Sequence, residues 1–178
     1  MKIEKLKFKG FYIFKPIVFK DNRGIFRRHL CQKTLRNKNI RINIVQGNVS
    51  ESFKRGTLRG FHYKKSPSKE YKILSCLKGS IFHVAVDLRK KSKTFGKYFS
   101  IKLKADNFES LIIPPNCANA FLTLENNTLI HYYMGDYFEK SKYMGFRYND
   151  PSFKIKWPFK PKIINYRDNN YEDFKLSK

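Results

Sequence analysis

Four histidines, His29, His62, His83 and His131, are the side chains of this sequence best suited to move a proton near neutral pH. A metal site in a β-rich domain would need clustered ligands, such as a His-x-His pair joined by a carboxylate and another histidine. His62 is followed by Tyr63 and Lys64, so that pair is missing and no metal or other cofactor is expected. Cys31, Cys76 and Cys117 are odd in number and far apart, with no CxxC pair. They are expected to be reduced, partly buried thiols, not a zinc site or a disulfide framework. His62 lies in the run Gly56-Thr57-Leu58-Arg59-Gly60-Phe61-His62-Tyr63. Strict strand alternation puts Leu58, Gly60 and His62 on one face of that run, and Arg59, Phe61 and Tyr63 on the other. His83 and His131 are expected to be ordinary hydrogen-bonded strand histidines.

The elements that must position these side chains are almost all strands. Ile81–Leu88 alternates cleanly, with Phe82, Val84, Val86 and Leu88 on one face and Ile81, His83, Ala85 and Asp87 on the other. Similar runs occur at Phe11–Phe19, Ile42–Gln46, Leu58–Tyr63, Tyr71–Leu77, Tyr98–Leu103, Ser110–Ile113, Ala120–Leu124 and Leu129–Met134. Turn signals separate them: Asp21-Asn22-Arg23-Gly24, Lys78-Gly79, Pro114-Pro115-Asn116 and Glu125-Asn126-Asn127. Helical spacing is weak and predicts only a turn or two at Cys31–Arg36. Many short strands at regular intervals imply an all-β antiparallel barrel or jelly roll. With no repeat and no linker, residues 1–178 are expected to form a single domain, with a loosely ordered tail over 170–178.

Composition narrows the function classes. Hydrophobic residues make up 41% and aromatics 16%, enough to build a core. No apolar run approaches the ~20 residues of a membrane span, and the N-terminal residues lack the apolar stretch of a signal peptide. A cytoplasmic protein away from membranes is expected. The net charge of +24 raises the possibility of nucleic-acid binding through phosphates. The basic residues are mostly lysine and are spread along the whole chain, however. The accompanying excess of Asn, Ile, Phe and Tyr points to a composition bias, so most of the charge reads as solvated surface and no nucleic-acid partner is expected.

Taken together, several motifs in order carry a resemblance. They are Phe19-x-Asp21-x-Arg23-Gly24-x-Phe26, Gln46-x-Asn48-x-Ser50, the Gly56–Tyr63 run, Lys72, Val84-Ala85-Val86-Asp87-Leu88-Arg89 and Ser92-x-Thr94-Phe95-Gly96. Ile113-Pro114, Tyr132, Gly145, Asn149-Asp150-Pro151, Trp157-Pro158 and Asp168 follow. From Phe19 to Asp168 the chain resembles the dTDP-4-dehydrorhamnose 3,5-epimerases, an RmlC-like branch of the cupins. The resemblance implies a cupin-type jelly-roll β-barrel with short peripheral helices, a homodimer, and a nucleotide-diphosphate sugar as substrate. It also implies a place in deoxysugar biosynthesis feeding a surface polysaccharide. His62 becomes the base, Asp168 its carboxylate partner, Tyr132 the opposing acid and Lys72 the enolate stabiliser. Arg23 and Arg59 fall at diphosphate-binding positions, and Gln46, Asn48 and Asn119 at other ligand contacts.

These residue types suit the reaction. A 4-keto group acidifies the C–H bonds at C3 and C5. Epimerisation then needs a base on one face, an acid on the other, and a donor for the enolate oxygen. From residue type alone, Tyr133 or Tyr137 would serve as well as Tyr132. The chain departs from the family at Arg28, at Asn116 and Cys117, at Asn119 in place of a histidine, at Tyr143 in place of a glutamate, and at Arg167 in place of a lysine. The proton-transfer set is kept while ligand contacts change, which places the nucleotide or sugar in question. Two other readings are a 3,4-ketoisomerase of a nucleotide sugar and a non-catalytic basic cupin that binds an anionic polymer.

Overall fold

The computed structural model describes residues 2–176. The strands are β1 (Lys2–Lys5), β2 (Tyr12–Lys15), β3 (Val18–Asp21), β4 (Gly24–Arg27), β5 (Gln46–Ser52), β6 (Thr57–Lys64) and β7 (Lys72–Lys78). They continue with β8 (Ser80–Asp87), β9 (Tyr98–Lys104), β10 (Ser110–Ile113), β11 (Cys117–Thr123), β12 (Thr128–Met134), β13 (Tyr143–Gly145) and β14 (Ile163–Ile164). The helices are short: α1 (Gln32–Arg36) and α2 (Tyr166–Asn169). None is long and apolar enough to cross a membrane.

The expected all-β jelly roll is present as two facing sheets that do not close into one barrel. The first runs β1-β2-β10-β7-β12-β5 and the second β13-β6-β11-β8-β9, with β14 added beside β6. Pairing is antiparallel apart from β14, which runs parallel to β6. Alternation assigns the faces. Leu74, Cys76, Ile130 and Ile13 from the first sheet meet Ile81, Ala85, Leu103 and Phe121 from the second to form the central core. This packing fills the space where β8 and β9 face β10 and β2. A second cluster covers the outer face of the second sheet: Val84, Val86, Ala118 and Ala120, overlaid by Phe61, Phe146 and Phe153.

Ile42–Gln46, expected to be a strand, pairs only from Gln46 onward. Ile40 and Ile42 instead join Leu35 of α1 and pack on Ile73 and Ile112, on the outer face of the first sheet. The alternation there reports burial without a ladder. The Asp21–Gly24 turn forms the hairpin of β3 and β4, which is a separate two-stranded ribbon. Its apolar side chains are bare: Phe19 is 60% exposed and Phe26 68%.

Within the segment expected to be a loose tail, three residues make contacts with the body of the domain. Tyr171 packs edge-on to His62, Phe174 packs edge-on to Phe146 of the outer cluster, and Asp173 pairs with Arg147 at 2.6 Å. Residues 177 and 178 lie outside the described residues. The three cysteines are free thiols, with Cys76 and Cys117 buried.

Candidate functional site

On the side where β13, β6 and β11 face β5, β12 and β7, the sheets leave a cavity of about 440 Å³. Alternation along the first sheet turns Gln46, Asn48 and Ser50 of β5, Lys72 and Leu74 of β7, and Tyr132 and Met134 of β12 into it. The facing wall supplies Arg59 and His62 of β6, Asn119 and Phe121 of β11, and Tyr143 of β13. The helix α2 closes one end with Arg167 and Asp168.

Strict alternation would have set Arg59 and His62 on opposite faces, yet both line the cavity. The cause is a bulge. Arg59 lies opposite Phe121 and His62 opposite Asn119, so three steps on β6 match two on β11. The extra residue falls at Gly60-Phe61. Phe61 turns outward into the aromatic cluster, and His62 comes back to the same side as Arg59. Gly60 has φ of +111°, and a Cβ there would come within 2.6 Å of the Asn119 carbonyl oxygen, so the bulge requires glycine.

His62 Nε2 lies 2.7 Å from Asp168 Oδ1. The other carboxylate oxygen accepts the Gly60 amide at 2.9 Å. Asp168 is itself fixed by α2, whose N-cap Asn165 accepts its backbone N–H at 2.7 Å. It is 1% exposed. Burial disfavours its charge, but the bonds from His62 and Gly60 outweigh that and hold its pKa below the usual carboxylate range. With Asp168 ionised, Nε2 carries the proton and Nδ1 is left as the basic nitrogen.

Tyr132 stands on the opposite wall. Burial raises its phenol above the ordinary tyrosine range, with Arg59 pulling the other way and Glu70 adding to the rise. Its competitors point elsewhere. Tyr133 faces outward, within 3.4 Å of His29 Nδ1, and Tyr137 is 64% exposed and outside the cavity lining. Lys72 Nζ pairs with Glu70 Oε1 at 3.1 Å. Gln46 donates to Asn48 at 2.9 Å, and Asn119 donates to the His62 carbonyl at 3.3 Å.

Of the nine residues singled out in the sequence, eight line the cavity, and Arg23 does not. Arg23 sits at the tip of the β3–β4 ribbon, bound to Asp21 at 2.6 Å with its side chain 85% exposed. The ribbon is a two-stranded sheet of its own, and Arg23 is outside the lining of the cavity. Arg167 enters the cavity from α2 as a second guanidinium beside Arg59.

Several participants escaped sequence reasoning. Glu70 and Tyr143 join Lys72 through hydrogen bonds across the cavity wall. Lys64, with its side chain 3% exposed, gathers Asp136, Glu139 and the Tyr137 carbonyl, and so holds Phe138 at the cavity rim. His83 and His131 depart from the expected hydrogen-bonded state. His83 is fully buried, and among the described residues neither of its ring nitrogens nor His131 Nδ1 has a hydrogen-bond partner. Burial, with Lys72 adding to it, pushes His83 down to about 3, so it stays neutral. Among the described residues no three His, Cys, Asp or Glu side chains cluster as metal ligands.

Comparison with known proteins agrees over nearly the whole length. The family model for dTDP-4-dehydrorhamnose 3,5-epimerase matches residues 5–175. The dTDP-4-dehydrorhamnose 3,5-epimerase of Shigella flexneri is 35% identical over 175 residues, 98% of this chain and 96% of that one. A crystal structure of the Bacillus anthracis enzyme with TDP and pyrophosphate bound superposes with a TM-score of 0.93 at 32% identity, covering 97% of this chain and 99% of that one. The Legionella pneumophila enzyme, in complex with dTDP-4-keto-L-rhamnose, gives 0.88 at 30% identity, covering 94% of this chain and 89% of that one. With fold and sequence in agreement across these proteins, the chain belongs to the dTDP-4-dehydrorhamnose 3,5-epimerase family.

Proposed function

We propose that this chain epimerises a nucleotide-linked 4-keto-6-deoxy sugar at C3, C5 or both, without a metal, in deoxysugar biosynthesis. One observation carries the reading: a histidine held by a buried carboxylate lies on one wall of a cavity whose opposite wall presents a tyrosine hydroxyl and a lysine. His62 removes the proton next to the ketone. Asp168 keeps its tautomer and stabilises the imidazolium that forms. Lys72 stabilises the enolate oxygen, and Tyr132 returns a proton to the opposite face. An acid and a base on opposed walls favour inversion over a ketone shift. Arg59 and Arg167 supply guanidinium groups for the diphosphate, and Gln46, Asn48 and Asn119 contact the rest of the ligand.

The protein works in the cytoplasm as a homodimer, with neither nucleic acid nor membrane as partner. Support for the dimer comes from the bare apolar ribbon of Phe19, Ile25 and Phe26, together with exposed Val49 and Phe53, a surface that a second copy would cover. The thymidine-linked 4-keto-6-deoxyglucose is the first substrate to try.

The decisive experiment offers a panel of nucleotide 4-keto sugars in deuterated water containing EDTA and follows exchange at C3 and C5 by NMR. Deuterium wash-in with inversion is expected for at least one member. The Tyr132→Phe variant should keep wash-in on the face attacked by His62 while inversion falls much further. Equal loss of both would remove Tyr132 from the acid role, and activity abolished by EDTA and restored by a divalent ion would overturn the metal-free mechanism.

A further inference from the structure

The cavity holds two phenols, one from each sheet, and they are not equivalent. Among the described residues the Tyr132 hydroxyl has no hydrogen-bond partner, whereas the Tyr143 hydroxyl donates to Glu70 Oε2. The other oxygen of the same carboxylate, Oε1, takes the Lys72 ammonium at 3.1 Å. Lys72 Nζ also lies 5.5 Å from the centre of the Tyr143 ring. Glu70 is 6% exposed and Lys72 8%, so this connection is largely shielded from water. Of the other polar groups near Lys72, His83 is neutral and has no hydrogen-bond partner, so it does not hold the ammonium.

Building on the epimerase reading above, we propose that Glu70 and Tyr143 are positioning residues that fix the Lys72 ammonium against the substrate's 4-keto oxygen. One ammonium N–H is committed to Glu70, and the remaining two are free for the developing enolate oxygen. Tyr143 makes the arrangement rigid. With its hydroxyl on Oε2, the carboxylate cannot turn both oxygens onto Lys72 and draw the ammonium back from the cavity. The same bond ties up the Tyr143 proton on a carboxylate, which leaves Tyr132 as the phenol free to protonate the sugar. Tyr143 stands where the family resemblance places a glutamate, and in this chain the carboxylate beside Lys72 comes from Glu70, just ahead of β7.

The test compares Tyr143→Phe with wild type on whichever panel sugar exchanges. The ring and its contact with Lys72 remain, and only the hydroxyl goes. Displacing a catalytic group by about 1 Å can lower turnover by roughly 100-fold, so a fall of about 10- to 100-fold in kcat is expected. KM and dTDP affinity should stay near wild type. Wash-in and inversion should fall together, because enolate formation itself is slowed, in contrast to Tyr132→Phe. Glu70→Gln, which keeps an acceptor for Tyr143 but removes the charge, should give the same signature; if Tyr143→Phe lowers Tm or dTDP affinity, Glu70→Gln decides the matter. Persistent wash-in with lost inversion in Tyr143→Phe would overturn the proposal and make Tyr143 the acid. A raised KM with unchanged kcat, or no effect in either variant, would overturn it as well. Failure of the wild type to exchange deuterium into any panel member is a different result, because it removes the epimerase reading itself.

Discussion

The two sides of the space between the sheets are built from the same strands and treated in opposite ways. Where β8 and β9 face β10 and β2, the gap is packed with Ile13, Leu111, Ile81 and Leu103, none more than 4% exposed. Where β6 and β11 face β5 and β12, inward positions carry Arg59, His62, Asn119, Gln46, Asn48 and Tyr132, and the gap stays open. β7 serves both, giving Cys76 to the core and Lys72 to the cavity. Each side also has its own buried aspartate. Asp87 binds Arg89, Ser92 and Thr94, all close by in the chain, and secures a loop. Asp168 reaches 106 residues back to a partly exposed histidine. Asp87 is satisfied chiefly by neighbours in its own loop, whereas Asp168 holds a distant side chain that lines the cavity, the arrangement the proposed chemistry requires.

The largest effect should come from the open side. His62→Ala is expected to lower exchange at both C3 and C5, per folded molecule, by about 10²–10⁴-fold. Near-wild-type wash-in would mean that the base lies elsewhere. The closed side should respond in reverse. Leu111→Ala should cost about 2–5 kcal/mol of stability, measured by urea unfolding, with kcat per folded molecule preserved. A large kcat loss there would show that the two sides are mechanically coupled.

Acid should find the closed side through Asp87. Burial opposes its ionisation, but Arg89, Ser92 and Thr94 outweigh this and bring it down to about 2. A carboxyl lowered on folding contributes stability that is complete above its unfolded pKa and disappears as pH falls through the folded one. Unfolding free energy should therefore drop by roughly 2 kcal/mol more in wild type than in Asp87→Asn as pH is lowered from about 5 to 2. Equal slopes would dismiss Asp87 as a source. The smallest effect is expected at Asn119. Asn119→His should not by itself improve turnover of the dTDP sugar, if this loop fits a different nucleotide sugar. Efficient wild-type turnover of the dTDP sugar, with no better substrate in the panel, would show that the specificity is unchanged.

Residue periodicity made most strands legible, because each sheet buries one face against the other. It failed where an element obeys something besides alternation. The β6 bulge moved Arg59 to the side of His62, and only the glycine at position 60 hinted at it. Ile40 and Ile42 alternate because they pack, not because they pair. The His62–Asp168 pair was reached through resemblance, since a separation of 106 residues leaves no local trace. Glu70 gave no signal among 14 acidic residues, while Tyr143 was visible only as a departure from the family. Arg23 was read correctly as part of a turn, and that turn belongs to a separate ribbon whose residues do not line the cavity.

The reach of α2 back to β6 also sets an order of events. A ribosome must translate past residue 168 before His62 can meet its carboxylate, so both sheets can be paired while the chain is still inert. The segment that follows α2 is held by Tyr171, Phe174 and the Asp173 pair with Arg147, and by hydrogen bonds of Phe174 to Asp150 and Ser152. A protease or a mild denaturant that releases those few contacts would silence the protein while the sheets remain folded. On the proposed role of Asp168, catalytic competence would be gained late in synthesis and lost early in unfolding.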